Sequence, residues 1–425
     1  MDGIIVVYKE RGFTSHDVVA KLRGILGQRK IGHTGTLDPE AEGVLPVCLG
    51  KATKVCDMLT DWDKEYCATL LLGRTTDTQD TTGRTLRECP VFLSDADGEM
   101  CLTKCVGTTA PEKDDSPVSP AKCDARTGSA KSDSMTGTAE GSGMIDPAEI
   151  GSTAAWLPDD SVVCLTEDAI RRCIEGFVGE QRQVPPMYSA LKVDGKKLYE
   201  LARQGVWVER KPRRITIKDI QIESVKAAGL STVEVEMKVR CSKGTYIRTL
   251  CNDIGEKLGC GGCLAHLLRM QVGPFSLADS YQLSEIEEFR DKGGLGQCLY
   301  STDTIFSNMT AVRLTPEAEK LVRNGNPLSR RILAGCEKYD WLDEEEVRFS
   351  DKKGWEYGNW MILQGRSQME VFESAPDGPQ SLSAALRNKW LDPDRVRLYG
   401  KNWEFLAVYK FNKEKNIWRA EKMFL

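Results

Sequence analysis

Histidine is scarce in this chain, with only His16, His33 and His266 among 425 residues. No His-Glu-x-x-His run exists, and the close pair Cys260 and Cys263 has no second pair to complete a tetrahedral set, so no metal centre is expected. Also missing are a Walker-type phosphate loop, a Gly-x-Ser-x-Gly elbow and a Gly-x-Gly-x-x-Gly turn after a strand. Their absence argues against cofactor-driven chemistry, and none is expected. No apolar stretch approaches the roughly 20 residues of a membrane helix, and the run at 4–7 is too short for a signal peptide. A soluble, cytoplasmic protein with no membrane partner is the expectation.

The 15 cysteines are odd in number and scattered, several in apolar patterns (Cys48, Cys67, Cys164, Cys173, Cys241), which reads as reduced core thiols rather than a disulfide framework. The net charge of -5 looks wrong for a nucleic-acid binder until its distribution is examined. Residues 98–160 carry 5 Lys/Arg against 11 Asp/Glu, a net of -6, whereas 161–283 carry 19 against 14, a net of +5. The acidity and the basicity occupy different segments.

Residues 3–8 read as a buried strand. Thr14 then caps a helix with Val18, Val19, Leu22, Ile25 and Leu26 on one face. A second strand is expected over 67–72, with Tyr66 at its entrance. From 94 to 160 the composition turns to Ser, Thr, Gly, Asp, Lys and Pro without a sustained period, which reads as a disordered insertion. Thr166 opens a short helix through Ile170, Ile174 and Phe177. Alternation predicts strands over 214–222 and 232–241, and a helix runs through Leu250, Ile254 and Leu258 to a stop at Gly259. Beyond 284 the pattern weakens. A helix at 316–324 and closing strands at 405–409 and 418–424 suggest a small mixed domain.

Two stretches suggest chemistry. The loop 30–39, continued by Gly43-Val44-Leu45-Pro46, sets glycines and prolines around one carboxylate, Asp38. It is either a structural turn with a capping Asp or a rigid mount for a reactive group. In the segment 188–214, Lys192, Lys196, Lys197, Arg203, Arg210, Lys211, Arg213 and Arg214 are interleaved with Tyr188 and Tyr199. Such a pattern suits either phosphate neutralisation with aromatic stacking or a solvated face over core aromatics.

Three motifs decide between these readings. They are Gly32-His33-Thr34-Gly35-Thr36-Leu37-Asp38-Pro39 with Gly43-Val44-Leu45-Pro46; Tyr188-Ser189-Ala190-Leu191-Lys192 with Gly195-Lys196-Lys197-Leu198-Tyr199; and Cys241-Ser242-Lys243-Gly244-Thr245-Tyr246-Ile247-Arg248. In this order they resemble the TruB family of tRNA pseudouridine-55 synthases, over residues 3–93 and about 161–276. The 187–199 stretch is closer to the bacterial branch than to the guide-RNA-dependent relatives.

The resemblance implies an α+β pseudouridine synthase fold: a central mixed, mainly antiparallel sheet flanked by helices, followed by a small C-terminal PUA-like domain. It divides the chain into a first catalytic part (1–93), the insertion (94–160), a second catalytic part (161–283) with a thumb-like RNA-binding loop (179–207), and a C-terminal domain (284–425) interrupted at about 336–395. It implies that Asp38 is the nucleophile, that Tyr66 stacks on the target base and takes part in proton removal, and that Arg248 pairs with Asp38. His33 is expected to help displace the nucleotide, Leu267 to pack on the base, and Lys9 to belong to a basic substrate loop. Lys243, Tyr188, Lys192 and Lys196 are the remaining expected substrate contacts. The partner implied is the T-stem-loop of tRNA, bound by a monomer without guide RNA. Two positions depart from the family pattern: Glu10 follows Lys9 where a proline is usual, and Glu42 replaces a threonine.

Overall fold

The computed structural model describes residues 1–94, 162–339 and 394–425, apart from positions 194 and 230. The insertions expected at 94–160 and 336–395 therefore lie largely outside the described residues.

The first strand, Gly3–Lys9, is apolar and almost wholly buried, and it pairs antiparallel with Glu42–Leu49. Between them runs the helix Ser15–Leu26, started by a capping box of Thr14 with Asp17 and ended by Gly27 at φ 60°. These local signals match the expectation because each is short-range chemistry. The main sheet continues from Glu42–Leu49 through Gly262–Val272, Lys64–Leu72, Thr232–Cys241 and Arg213–Ala228 to Gly179–Gln183. Every junction along this path is antiparallel except the one between Glu42–Leu49 and Gly262–Val272, which makes the sheet mixed but mainly antiparallel, as expected.

Two boundaries differ from expectation. The strand holding Tyr66 begins at Lys64, so Tyr66 lies inside it, and alternate residues Lys64, Tyr66, Ala68, Leu70 and Leu72 are buried. Residues 64–66 are drawn into the strand by neighbours on both sides, Thr232–Cys241 and Gly262–Val272. The strand expected over 214–222 runs to Ala228, because its partner supplies a ladder as far as Thr232.

Helix Ile247–Lys257 lies across the sheet, with Ile247, Leu250, Cys251 and Ile254 in one apolar cluster with Tyr66, Ala68, Leu70, Val235 and Leu267. The ends of the acidic insertion are brought together by the parallel pair Val91–Ser94 and Val163–Thr166. Cys164 on that pair is exposed, which corrects its reading as a core thiol; Cys48 and Cys241 are buried. The helix Leu283–Asp291 packs Leu283 and Ile286 against Val18 and Leu22, so the change of pattern at 284 is not a change of core. A second, six-stranded sheet begins at Thr310. Its Val408, and Phe424 just past its last strand, join Ile4, Val6, Val44 and Cys48 in one cluster. Among the described residues no helix is long and apolar enough to cross a membrane.

Candidate active site

The loop 34–38 leaves the short strand Ile31–His33 and lies over the sheet, tied down by Thr34, whose N and Oγ1 both donate to the Pro46 carbonyl. Ser15 Oγ accepts from Leu37 N at 2.9 Å, fixing the residue before Asp38 to the N-terminus of the helix Ser15–Leu26. Asp38 thus stands on a clamped backbone at a cleft of about 360 Å³, which is also lined by Gly35, Lys64, Tyr66, Leu191, Tyr246, Arg248, Leu267 and Arg269. Five segments far apart in sequence meet there.

Arg248, on the first turn of Ile247–Lys257, is buried at 6 % side-chain exposure, and its Nε lies 2.9 Å from Asp38 Oδ2. That N–H is not aligned on an acceptor, so the contact is an ion pair rather than a formed hydrogen bond. The two Nη atoms hold the guanidinium in place, donating to the Thr78 carbonyl at 3.0 Å, Asp80 Oδ2 at 3.4 Å and the Tyr188 carbonyl at 2.8 Å. Asp80 was not picked out from the sequence. It is fixed in turn by the Thr78 hydroxyl and by the N–H and hydroxyl of Thr82. Gln79 between them takes φ 64°, which lets the Thr78 carbonyl and the Asp80 carboxylate meet the same guanidinium.

Burial raises the Asp38 pKa above the usual carboxylate value; Arg248 pulls it down, Asp80 pushes it up and Lys9 pulls it down. Arg248 therefore opposes the desolvation without overcoming it. Tyr66 is also raised by burial, and the neighbouring Arg269 guanidinium works against that rise. Arg269 sits opposite Tyr66 in the strand register, is 1 % exposed, and donates from Nε to the Val44 carbonyl at 2.7 Å. It too escaped the sequence reading. The signal was there: period-two alternation puts Arg269 on the same face as Leu267, a charge aimed inward from an apolar strand.

Asp38, Tyr66, Arg248 and Leu267 are brought together. Lys9 is not. It is fully buried beneath the loop, its ammonium donating to the carbonyls of Glu10, Phe13 and Pro39 at 3.0, 2.6 and 3.1 Å, so it braces the mount and does not face a substrate. Its pKa is lowered to about 8 by burial. Lys64 in the cleft wall is likewise lowered to about 8. His33 is not among the residues lining the cleft; it lies edge-on to His16 at 5.2 Å, with its pKa lowered by burial and then by His16 and Arg269. Tyr188 contributes its carbonyl to Arg248, while Lys192 and Lys196 are exposed on the small hairpin that follows the wall residues Ser189, Ala190 and Leu191. Lys243 is exposed on the rim and paired with Asp61 at 2.8 Å.

The family model for TruB family pseudouridylate synthase (N terminal domain) matches residues 23–117 and 150–247, and that for the tRNA pseudouridylate synthase B C-terminal domain matches 248–307. These matches make the protein a pseudouridine synthase, an isomerase. Among relatives, the tRNA pseudouridine synthase B of Lachnoclostridium phytofermentans is 37% identical over 428 residues, covering 100% of both chains. That of Clostridioides difficile is 37% identical over 82% of this chain and 90% of its own. The chain belongs to the TruB family. Solved structures share the fold at lower identity. A chain in an H/ACA RNP bound to a substrate RNA containing 2'-deoxyuridine aligns with a TM-score of 0.52 at 18% identity, over 100% of this chain and 85% of that one. A chain of a Cbf5-Nop10-Gar1 complex aligns with a TM-score of 0.53 at 20% identity, with the same coverage.

Proposed function

We propose that this enzyme converts uridine 55 in the T-loop of tRNA to pseudouridine, as a cytoplasmic monomer that needs no guide RNA, metal or cofactor. The observation that carries the reading is the Asp38 carboxylate, held 2.9 Å from a buried Arg248 in a cleft it shares with Tyr66 and Leu267. The reaction breaks the N1–C1′ bond, turns the uracil and joins C5 to C1′, so one fixed nucleophile suffices.

The target base leaves its stack at a cost of a few kcal/mol, and an aromatic platform returns roughly 1–3 kcal/mol of that. Tyr66 is that platform, with Leu267 packing beside it. Proton loss from C5 falls to the Tyr66 hydroxyl, where the Arg269 guanidinium offsets the cost of transient negative charge. His33, neutral by burial, takes the space vacated by the extruded nucleotide. Lys192, Lys196, Lys243 and Tyr188 border the approach and serve the flanking RNA.

The test is tritium release from tRNA labelled at uridine C5. Asp38→Asn is expected to abolish release, and undiminished release would rule out the nucleophile. Tyr66→Phe is expected to slow turnover at least a hundredfold, within the range of general acid–base effects; a wild-type rate removes its proton role. Replacing uridine 55 of the tRNA with cytidine separates the position from the chemistry.

A further inference from the structure

Trp207 is 71% exposed, the only aromatic side chain among the large exposed apolar residues described. The other described tryptophans rest on aromatic neighbours: Trp62 on Phe275, Trp403 on Tyr399 and Trp418 on Phe411, with ring centroids 6.1, 5.7 and 5.1 Å apart. Trp207 instead has the Arg210 guanidinium over its ring at 5.7 Å, and Arg210 is anchored by an Nη1 bond of 3.1 Å to the Pro185 carbonyl. A ring backed by a cation and otherwise open to water is held ready for a second planar group.

Its position ties it to the cleft. The helix Leu198–Arg203 is fastened to the cleft wall by Leu198 N to the Leu191 carbonyl at 2.8 Å and Tyr199 N to the Ser189 carbonyl at 3.1 Å. The chain leaves that helix through a turn closed by Gly205 N to the Ala202 carbonyl and Val206 N to the Leu201 carbonyl, which delivers Trp207 directly. Around it, Arg203, Arg210, Lys211, Arg213 and Arg214 face a single acidic residue between 203 and 214, Glu209. Arg203, Lys211, Arg213 and Arg214 are exposed, and among the described residues none of the five is ion-paired to a carboxylate. Charge of this sign selects a polyanion, and a bare indole in its midst selects one that carries flat aromatic groups.

We propose that Trp207 is a stacking platform for an unpaired base of the substrate RNA outside the cleft, so that it sets substrate affinity and leaves the chemical step alone. The proposal rests on RNA being the substrate. Wild type, Trp207→Ala and Trp207→Phe are compared in steady-state tritium release and in filter binding of the same tRNA, with thermal melting as a check on folding. Loss of one stack is worth about tenfold in affinity. The alanine variant is thus expected to raise KM and the binding Kd about tenfold with kcat within twofold, and phenylalanine to restore most of both. An unchanged KM and Kd overturns the proposal in favour of some other role, such as a protein contact, and so does a fall in kcat with KM intact. If wild type releases no tritium from tRNA, the fault lies with the proposed reaction, and the filter-binding comparison still decides the case of Trp207.

Discussion

Replacing Arg248 with methionine removes the charge while keeping much of the volume, and the structure sets the size of the effect. Asp38 is pushed toward protonation by burial and by the nearby Asp80, and Arg248 at 2.9 Å is the larger of the two cations opposing this. A contacting cation lowers a carboxyl pKa by about 1–3 units, or roughly 1.4–4 kcal/mol. In Arg248→Met the acid limb of kcat/KM should therefore move up by about 1–3 pH units. The limb of the wild type should itself lie above the ordinary carboxylate range, because the net direction at Asp38 is upward. Tritium release from C5-labelled tRNA, followed from about pH 5 to 9.5, measures both. The ratio of wild-type to variant rates should be largest at low pH and fall to a plateau at high pH. That plateau reports the separate cost of losing the bonds to the Thr78 and Tyr188 carbonyls. A ratio constant across pH would refute the claim that Arg248 acts on the ionisation of Asp38.

The same imbalance has a stability signature. A carboxyl group with a raised folded pKa contributes stability below its unfolded pKa, near 4, and loses it as pH rises through the folded pKa. Asp38→Asn should therefore raise Tm at pH 7 by about 1–2 °C, a small gain because the side chain is 41% exposed and water screens it, and the gain should vanish toward pH 4. A lower Tm at pH 7 would contradict the argument. Gly43→Ala tests the sheet crossing beside the site. Gly43 has φ +103°, and a Cβ there would lie 2.3 Å from the Arg269 carbonyl oxygen, where two backbones meet in parallel pairing. A loss of about 3 kcal/mol or more in urea unfolding is expected, and an unchanged midpoint would mean that the two strands can part without cost.

What the sequence disclosed follows the range of the forces involved. The capped helix at Thr14, the strand 3–8 and the glycine-framed loop depend on neighbours within a few residues, and all are visible in the chain. That Asp38 and Arg248 meet came from three motifs in a known order, since no local rule joins positions 210 residues apart. Lys9 was assigned to a substrate loop by the resemblance alone; only the fold reveals three carbonyls around its ammonium. Asp80 was hidden in a turn-rich stretch whose polar residues all look alike until Arg248 selects one of them. The longer strand 213–228 was missed for the same reason, as its second half is held by cross-strand partners rather than by its own pattern.

The cations beneath the site brace the loops that carry Asp38. Lys9 donates to the carbonyls of Glu10, Phe13 and Pro39, Lys64 to those of Thr60 and Trp62, and Arg269 to those of Val44 and Gly35. Each buried charge is costly alone, and each is satisfied by main-chain oxygens of the segments that frame the cleft. Carbonyl partners leave the full positive charge in place, whereas carboxylate partners would cancel it. The cations thus tie down the loops around Asp38; of the three only Lys9 also pulls on the carboxylate's ionisation, and only Arg248 comes into contact with it. Arg248 is tied by its Nη atoms to the Thr78 and Tyr188 carbonyls, so its place beside Asp38 is set by the main chain and not by the carboxylate itself.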